Sequence, residues 1–217
     1  MAHDLIDSTE MYLRTVLELE EEGIPALRAR LSERLGLSAP SISEGVARLQ
    51  EQGLLQLATD RTVELTPMGR ERATHVMRKH RLAERLLADV IGLDPEYIHE
   101  EACRWEHVIS DRVEDKLAEL LGNPTTSPYG NPIPGSGDAS VDIVSLTEAG
   151  DGAVRLHSIS ESLQSDAEVI HVLYEHGMRA GETVQLTTTG AQVVLELDEH
   201  RIELPLEAAR LVYVTRA

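Results

Sequence analysis

Four prolines within eleven residues, Pro124, Pro128, Pro132 and Pro134, constrain this chain more than any other feature. They lie in a stretch, 123–138, otherwise rich in Gly, Ser and Thr. Proline fixes φ and lacks an N–H, so the stretch forbids a helix and predicts an extended tether at a domain boundary. The apolar period changes across it. Before it, apolar residues recur every three to four positions, the mark of helices with one buried face. After it, short alternating runs predict strands at 141–145, 153–159, 182–188, 191–197 and 210–215. One helix, over 166–176, interrupts them before Gly177. Short strands with Thr-Gly and Asp-Glu-His turns predict a small β-barrel.

The helical part resolves further. A first helix is predicted over 4–22, with Leu5, Tyr12, Leu13, Val16, Leu17 and Leu19 as its apolar stripe and Gly23-Ile24-Pro25 as its stop. A second runs over 26–36, with Leu27, Leu31 and Leu35 on one face and Gly36 ending it. Ser38 and Pro40 stand at the N-cap and early first turn of a third, whose buried face is Ile42, Val46 and Leu49 and whose end is Gly53. Two short helices joined by Gly-Leu-Ser form a helix-turn-helix pattern. Two apolar runs, 54–58 and 62–65, flank Thr59-Asp60-Arg61 and predict a hairpin, the wing of a winged helix, with Arg61 at its tip. From Thr66-Pro67 a long helix runs to about Ile91 and Gly92, and 95–121 is helical again with a break near Ser110. The chain reads as three domains: 1–73, 74–140 and 141–217.

The winged helix makes DNA the expected partner. Ser38, Pro40, Ser41, Ser43 and Glu44 open the recognition helix, where small hydroxyls allow close approach and Glu44 can accept from cytosine N4. Arg28, Arg30 and Arg48 would hold phosphates, and Arg61 at the wing tip could reach a phosphate or a minor groove. A net charge of −18 argues the other way, because phosphate contacts need cations. Its distribution decides the matter: residues 138–217 hold 14 acids against five arginines and no lysine, whereas 26–50 holds four arginines against two glutamates. With one cysteine, a polar N-terminus and no long apolar run, the chain is expected to be cytoplasmic, without a membrane span.

Cys103, Glu106 and His107 stand at i, i+3 and i+4, so one helical face can offer sulfur, oxygen and nitrogen to one metal ion. The alternative is a half-buried thiol beside a surface carboxylate and a core histidine. His80 and Glu84 are also four apart, and His99 follows the next helix start. Alone, that pair reads equally as an ordinary helical contact, and Met11 as core.

Four stretches go beyond such patterns: residues 7–15 (DSTEMYLRT), 77–87 (MRKHRLAERLL), 101–108 (EACRWEHV) and 127–135 (SPYGNPIPG). On these, nearly the whole chain resembles the diphtheria toxin repressor and iron-dependent regulator family. The resemblance implies a mainly helical N-terminal two-thirds, a winged helix plus a helical dimerisation domain, followed by an SH3-like barrel. It implies a regulatory metal site from Met11, Cys103, Glu106 and His107. A second, ancillary site would use His80, Glu84 and His99, with Glu161 and Gln164 from the barrel. It places an anion at Arg81, Ser127 and Asn131. Glu44 departs from the family pattern, which has glutamine there; an amide becomes an acceptor-only carboxylate, and operator preference is expected to change.

The implied mechanism is metal-activated repression. Metal would fix the first helix and the domain angle, so that a homodimer, one or two per palindromic operator of iron-uptake genes, presents its recognition helices to double-stranded DNA. A thiol and a thioether favour Fe(II), Co(II) or Ni(II) over Mn(II); availability and the resemblance select Fe(II), with Co(II), Ni(II), Mn(II) or Zn(II) able to substitute in vitro. A manganese-responsive regulator of the same fold is the nearest alternative. A two-histidine-one-carboxylate metalloenzyme is another, but the chain has no HExxH, nucleophile elbow or Gly-rich phosphate loop. A third is a scaffold in which the proline-rich stretch is the barrel's own ligand in cis.

Overall fold

The computed structural model describes residues 8–137 and 142–216. The predicted start of the first helix at residue 4, with Leu5, lies outside the described residues, as do the domain boundary at 140/141 and the first residue of the strand expected at 141–145. The chain divides into two compact units, 1–80 with 104–109, and 81–103 with 110–217.

In the first unit, α1 (Ser8–Glu21), α2 (Arg28–Leu35) and α3 (Ala39–Glu51) precede a hairpin of β1 (Leu55–Leu57) and β2 (Val63–Leu65). The helix α4 (Pro67–Arg85) then begins. Tyr12, Leu13, Val16, Leu31, Ile42, Val46, Leu49, Val63 and Met77 form one apolar core. Ser38 caps α3, accepting from the Ser41 amide, with Pro40 in the first turn. Gly36 ends α2 at φ 65°, a left-handed position that glycine adopts without steric cost. Helix α2 is shorter than expected: Leu27 is its N-cap and is exposed, while Leu31 is fully buried and Leu35 packs partly buried against the core. The hairpin pairs Leu55 with Leu65 and Leu57 with Val63, and Arg61 sits in its turn at φ 71°.

Gly45, mid-helix in α3, carries a consequence that periodicity did not reveal. A Cβ there would lie 2.4 Å from the Tyr12 hydroxyl. The Tyr12 ring therefore rests on the α3 backbone, and its hydroxyl donates to the Ser41 carbonyl at 3.2 Å.

In the second unit, the end of α4 passes into a π-helical turn, Leu86–Ile91, closed by Gly92 at φ 73°. Helices α5 (Pro95–Trp105) and α6 (Asp111–Leu120) are separated at Ser110, the N-cap of α6. The C-terminal part is a six-stranded antiparallel sheet in the order β3-β8-β4-β5-β6-β7. Its strands are β3 (Val144–Ser145), β4 (Gly152–Ile159), β5 (Thr183–Thr189), β6 (Gln192–Leu197), β7 (His200–Pro205) and β8 (Val212–Arg216). Helices α7 (Glu161–Gln164), α8 (Ala167–Glu175) and α9 (Leu206–Ala209) complete it. Strand β7 was not expected: its His-Arg-Ile-Glu-Leu run is half charged, and cross-strand pairing with β6 holds it in place.

The proline-rich stretch corrects the expectation of an extended tether. Residues 125–133 fold back on themselves: Ser127 N donates to Asn131 O, Ile133 N to Thr125 O, and Thr126 bridges Pro132. Tyr129 at the apex is fully buried, packs edge-on against Tyr174 and donates to the Pro95 carbonyl at 2.7 Å. Its carbonyl accepts from Ile159 N at the end of β4, and the Tyr174 hydroxyl donates to Pro128 O. Gly130, at φ 88°, lies against His157 O, which a Cβ would meet at 1.9 Å. Burying a whole tyrosine outweighs the freedom that the prolines leave the chain. The stretch is thus a ligand of its own sheet in cis.

Candidate metal centre

Helix α1 turns an unusual row of polar groups inward. Arg14 and Glu18, one turn apart, are both buried, and Arg14 Nε donates to Glu18 Oε1 at 2.5 Å. Arg14 Nη1 donates to both oxygens of Glu106, at 2.9 and 2.7 Å. His80 Nδ1 lies 2.6 Å from Glu106 Oε2. Burial alone would raise the Glu106 pKa; Arg14 and His80 outweigh it and hold the carboxyl down to about 2. A turn before Arg14, Glu10 Oε2 meets His107 Nδ1 at 2.7 Å.

In the neutral tautomer that donates Nδ1–H to Glu10, His107 offers a lone pair at Nε2. This atom is buried, has no hydrogen-bond partner and lies 3.2 Å from Glu106 Oε1. An imidazole lone pair and a carboxylate oxygen at this separation fit a shared cation. Met11 is half-buried beside Glu10, and its carbonyl accepts from Thr15 Oγ1.

The second unit holds another set. Glu84, His99 and Glu161 each offer a ligand atom, all within 4.8 Å of one another. His99 Nδ1 is 3.1 Å from Gln164 Oε1, and Gln164 Nε2 donates to the Ile159 carbonyl. The Ser160 side chain caps α7, which presents Glu161 and Gln164 together. Cys103 is half-buried, with Sγ 3.5 Å from His99 Nε2. Burial would push the His99 imidazolium down, but the Cys103 sulfur and the carboxylates of Glu161 and Glu84 overcome it and hold its pKa well above the usual value. Two carboxylates and an imidazole converging in a dry interior fit a divalent ion.

Of the expected anion site, Arg81 is buried, with Nε donating to Glu161 Oε1 at 3.0 Å and Nη1 to Pro132 O at 2.5 Å. Asn131 donates to the Ile159 carbonyl, and Ser127 Oγ accepts from Tyr129 N. The anion facing Arg81 here is a protein carboxylate.

The α3 face is open. Ser38, Pro40, Ser41, Ser43, Glu44, Arg48 and Arg61 are exposed, and Arg28 and Arg30 are half-buried. Ser43 returns its hydroxyl to Ala39 O, Arg48 reaches Ser8 Oγ, and Arg30 reaches Pro25 O.

Residues 4–63 match the family model described as the iron dependent repressor N-terminal DNA-binding domain. Residues 66–135 match its metal binding and dimerisation domain, and 138–216 the diphtheria toxin repressor SH3 domain. The diphtheria toxin repressor of Corynebacterium efficiens is 47% identical, over 98% of this chain and 97% of its own length. The chain belongs to the diphtheria toxin repressor family. The iron-dependent repressor IdeR of Mycobacterium tuberculosis is also 47% identical, over 99% of each chain. Among solved structures, a manganese-dependent transcriptional repressor in complex with manganese superposes with a TM-score of 0.84 at 26% identity, covering 96% of this chain and 100% of that one. The chain is thus a metal-dependent repressor of this family, with DNA-binding, dimerisation and SH3-like domains. No helix among the described residues is long and apolar enough to cross a membrane.

Sequence reasoning missed Glu10, Arg14 and Glu18 in the polar row of α1. The available signal was their spacing: 10, 14 and 18 share a helical face with the inward-facing Leu17.

Proposed function

We propose that this chain is an iron(II)-activated repressor that binds palindromic operator DNA as a homodimer, with domains at 1–73, 74–140 and 141–217. Met11, Cys103, Glu106 and His107 form the regulatory ligand set. Glu84, His99, Glu161 and Gln164, with His80, form the ancillary one. Arg81, Ser127 and Asn131 serve an anion near it. The bound ion supplies a positive charge that draws donors from separate segments to one point.

The observation that carries this reading is the position of α1. Its Glu10 faces His107, its Arg14 holds Glu106, and Tyr12, between them, lies on Gly45 and Ser41 of α3. A change in how residues 10–14 are held therefore passes through one aromatic ring to the recognition helix. Ser38, Pro40, Ser41, Ser43 and Glu44 read bases, while Arg28, Arg30, Arg48 and Arg61 hold phosphates. Thiol and thioether donors favour Fe(II) over Mn(II), and availability selects it over the later transition metals.

Manganese is the second reading, supported by the hard oxygen of Glu10 at His107 and by the two carboxylates beside His99. Anaerobic operator binding with Fe(II), with Mn(II) and with chelator separates them. Tight binding with Fe(II) alone supports the iron reading, and tight binding with Mn(II) alone overturns it. Equal binding with chelator removes metal activation altogether.

A further inference from the structure

Arg14 occupies the Glu106 carboxylate as a divalent ion would. A single nitrogen, Nη1, bridges both oxygens, at 2.9 and 2.7 Å, in the chelating position. Both side chains are sealed from solvent, Arg14 at 5% exposure and Glu106 at 1%. A guanidinium never deprotonates in a protein, so this cation cannot leave by titration; only displacement frees the carboxylate. The same side chain has a second anion to fall back on, because Nε donates to Glu18 on α1 itself. Arg14 released from Glu106 remains neutralised, which lowers the cost of release in a dry interior.

We propose that Arg14 is an internal counter-cation that a regulatory metal must displace from Glu106, so that it sets the metal threshold of the switch. It holds the Glu106 segment to α1 when metal is scarce, and exchange of guanidinium for metal re-ties the same helix through Glu106 and its neighbours. The idea rests on Glu106 being a metal ligand. Arg14 is a positioning residue, and Glu18 decides how readily it lets go.

The test is anaerobic titration of the full-length protein with Co(II) at neutral pH. Trp105, the only tryptophan and the neighbour of Glu106, reports by fluorescence. Melting in chelator is measured alongside. Arg14→Met is expected to bind Co(II) roughly tenfold tighter or more, since a charge-assisted contact no longer competes, while the metal-free protein melts lower. Glu18→Gln is expected to act in the opposite direction, weakening Co(II) binding several-fold by removing the fallback anion. A purely structural Arg14 would lower both metal affinity and melting temperature. Unchanged or weaker Co(II) binding by Arg14→Met overturns the proposal. If Arg14→Met does not fold, Arg14→Gln takes its place: it keeps a polar side chain without the competing charge, and must bind Co(II) tighter than the parent or the proposal fails. Glu106→Gln separates the two ideas. Loss of one Co(II) site there, with no gain in the Arg14 variants, sinks the counter-cation alone. An unchanged isotherm sinks the metal role of Glu106 itself.

Discussion

Two of the polar clusters among the described residues neutralise buried carboxylates in opposite ways. Around Glu106 the compensating charge is a permanent guanidinium, and the carboxyl is held down to about 2. Around Glu84 and Glu161 the neighbours are an imidazole, His99, whose pKa is raised well above its usual value, and Arg81, which donates to Glu161. A metal entering the first displaces an arginine; a metal entering the second displaces a proton. Both exchanges respond to pH through their thiol and imidazole donors, but only the first must also displace a permanent cation. Similar ligand types thus make two different sensors, because the neighbours differ.

The largest expected effect separates the clusters by function. Glu106→Gln should reduce metal-dependent operator affinity on the order of a hundredfold, and Glu161→Gln by much less, read by DNA binding with saturating metal. Equal losses would erase the distinction between a regulatory and an ancillary set. Next come the two glycines that hold each region's fold. Gly130→Ala drives a Cβ into the His157 carbonyl at a left-handed φ and should cost at least about 2 kcal/mol, seen as a lower unfolding midpoint. Gly45→Val pushes Tyr12 off α3 and should cost about 1–3 kcal/mol. Of the two, only Gly45→Val is expected to weaken operator binding in the surviving folded protein. Full operator affinity in that variant would disconnect α1 from the recognition helix.

A smaller effect concerns pH. The folded pKa of His99 is raised, so its contribution to stability is complete below the unfolded value of about 6.5 and is lost as pH rises through the folded one. Metal-free protein should therefore lose stability on the alkaline side, and His99→Gln should flatten that slope in urea unfolding at several pH values. A parent slope identical to that of the variant would remove His99 as the proton carrier. The smallest change sharpens the DNA face. Glu44→Gln restores a donor at an exposed base-facing position and should shift operator preference by about 1–3 kcal/mol at one base pair, without altering metal binding; selection from random DNA reads this out.

Local patterns made much of this legible. Ser38 and Pro40 announced the start of α3, Gly36 and Gly92 the ends of their helices, and 59–61 the turn of the hairpin, because caps and turns depend on a few adjacent residues. The offset of Cys103, Glu106 and His107 suggested donors on one helical face, but α5 ends at Trp105 and Glu106 and His107 stand in the turn that follows it. Strand β7 escaped because its charged residues face outward and only pairing with β6 defines it. The fold of 123–137 escaped for the opposite reason: its prolines describe chain stiffness, while its shape comes from burying Tyr129 against Tyr174.

The sequence by itself determined the helix-turn-helix and the change of period after the prolines, because each follows from spacing along the chain; it also set the polar residue types on α4 and α5, while Glu161 and Gln164 on α7 were singled out only by the family resemblance. Only the tertiary structure decided which charges those donors face. Arg14 and Glu106 are 92 residues apart, and Arg81 and Glu161 are 80 apart. Nothing in the local sequence weighs a carboxylate's burial against the cation that meets it there. That balance exists only where packing has excluded water, and it sets what each cluster must give up to take a metal.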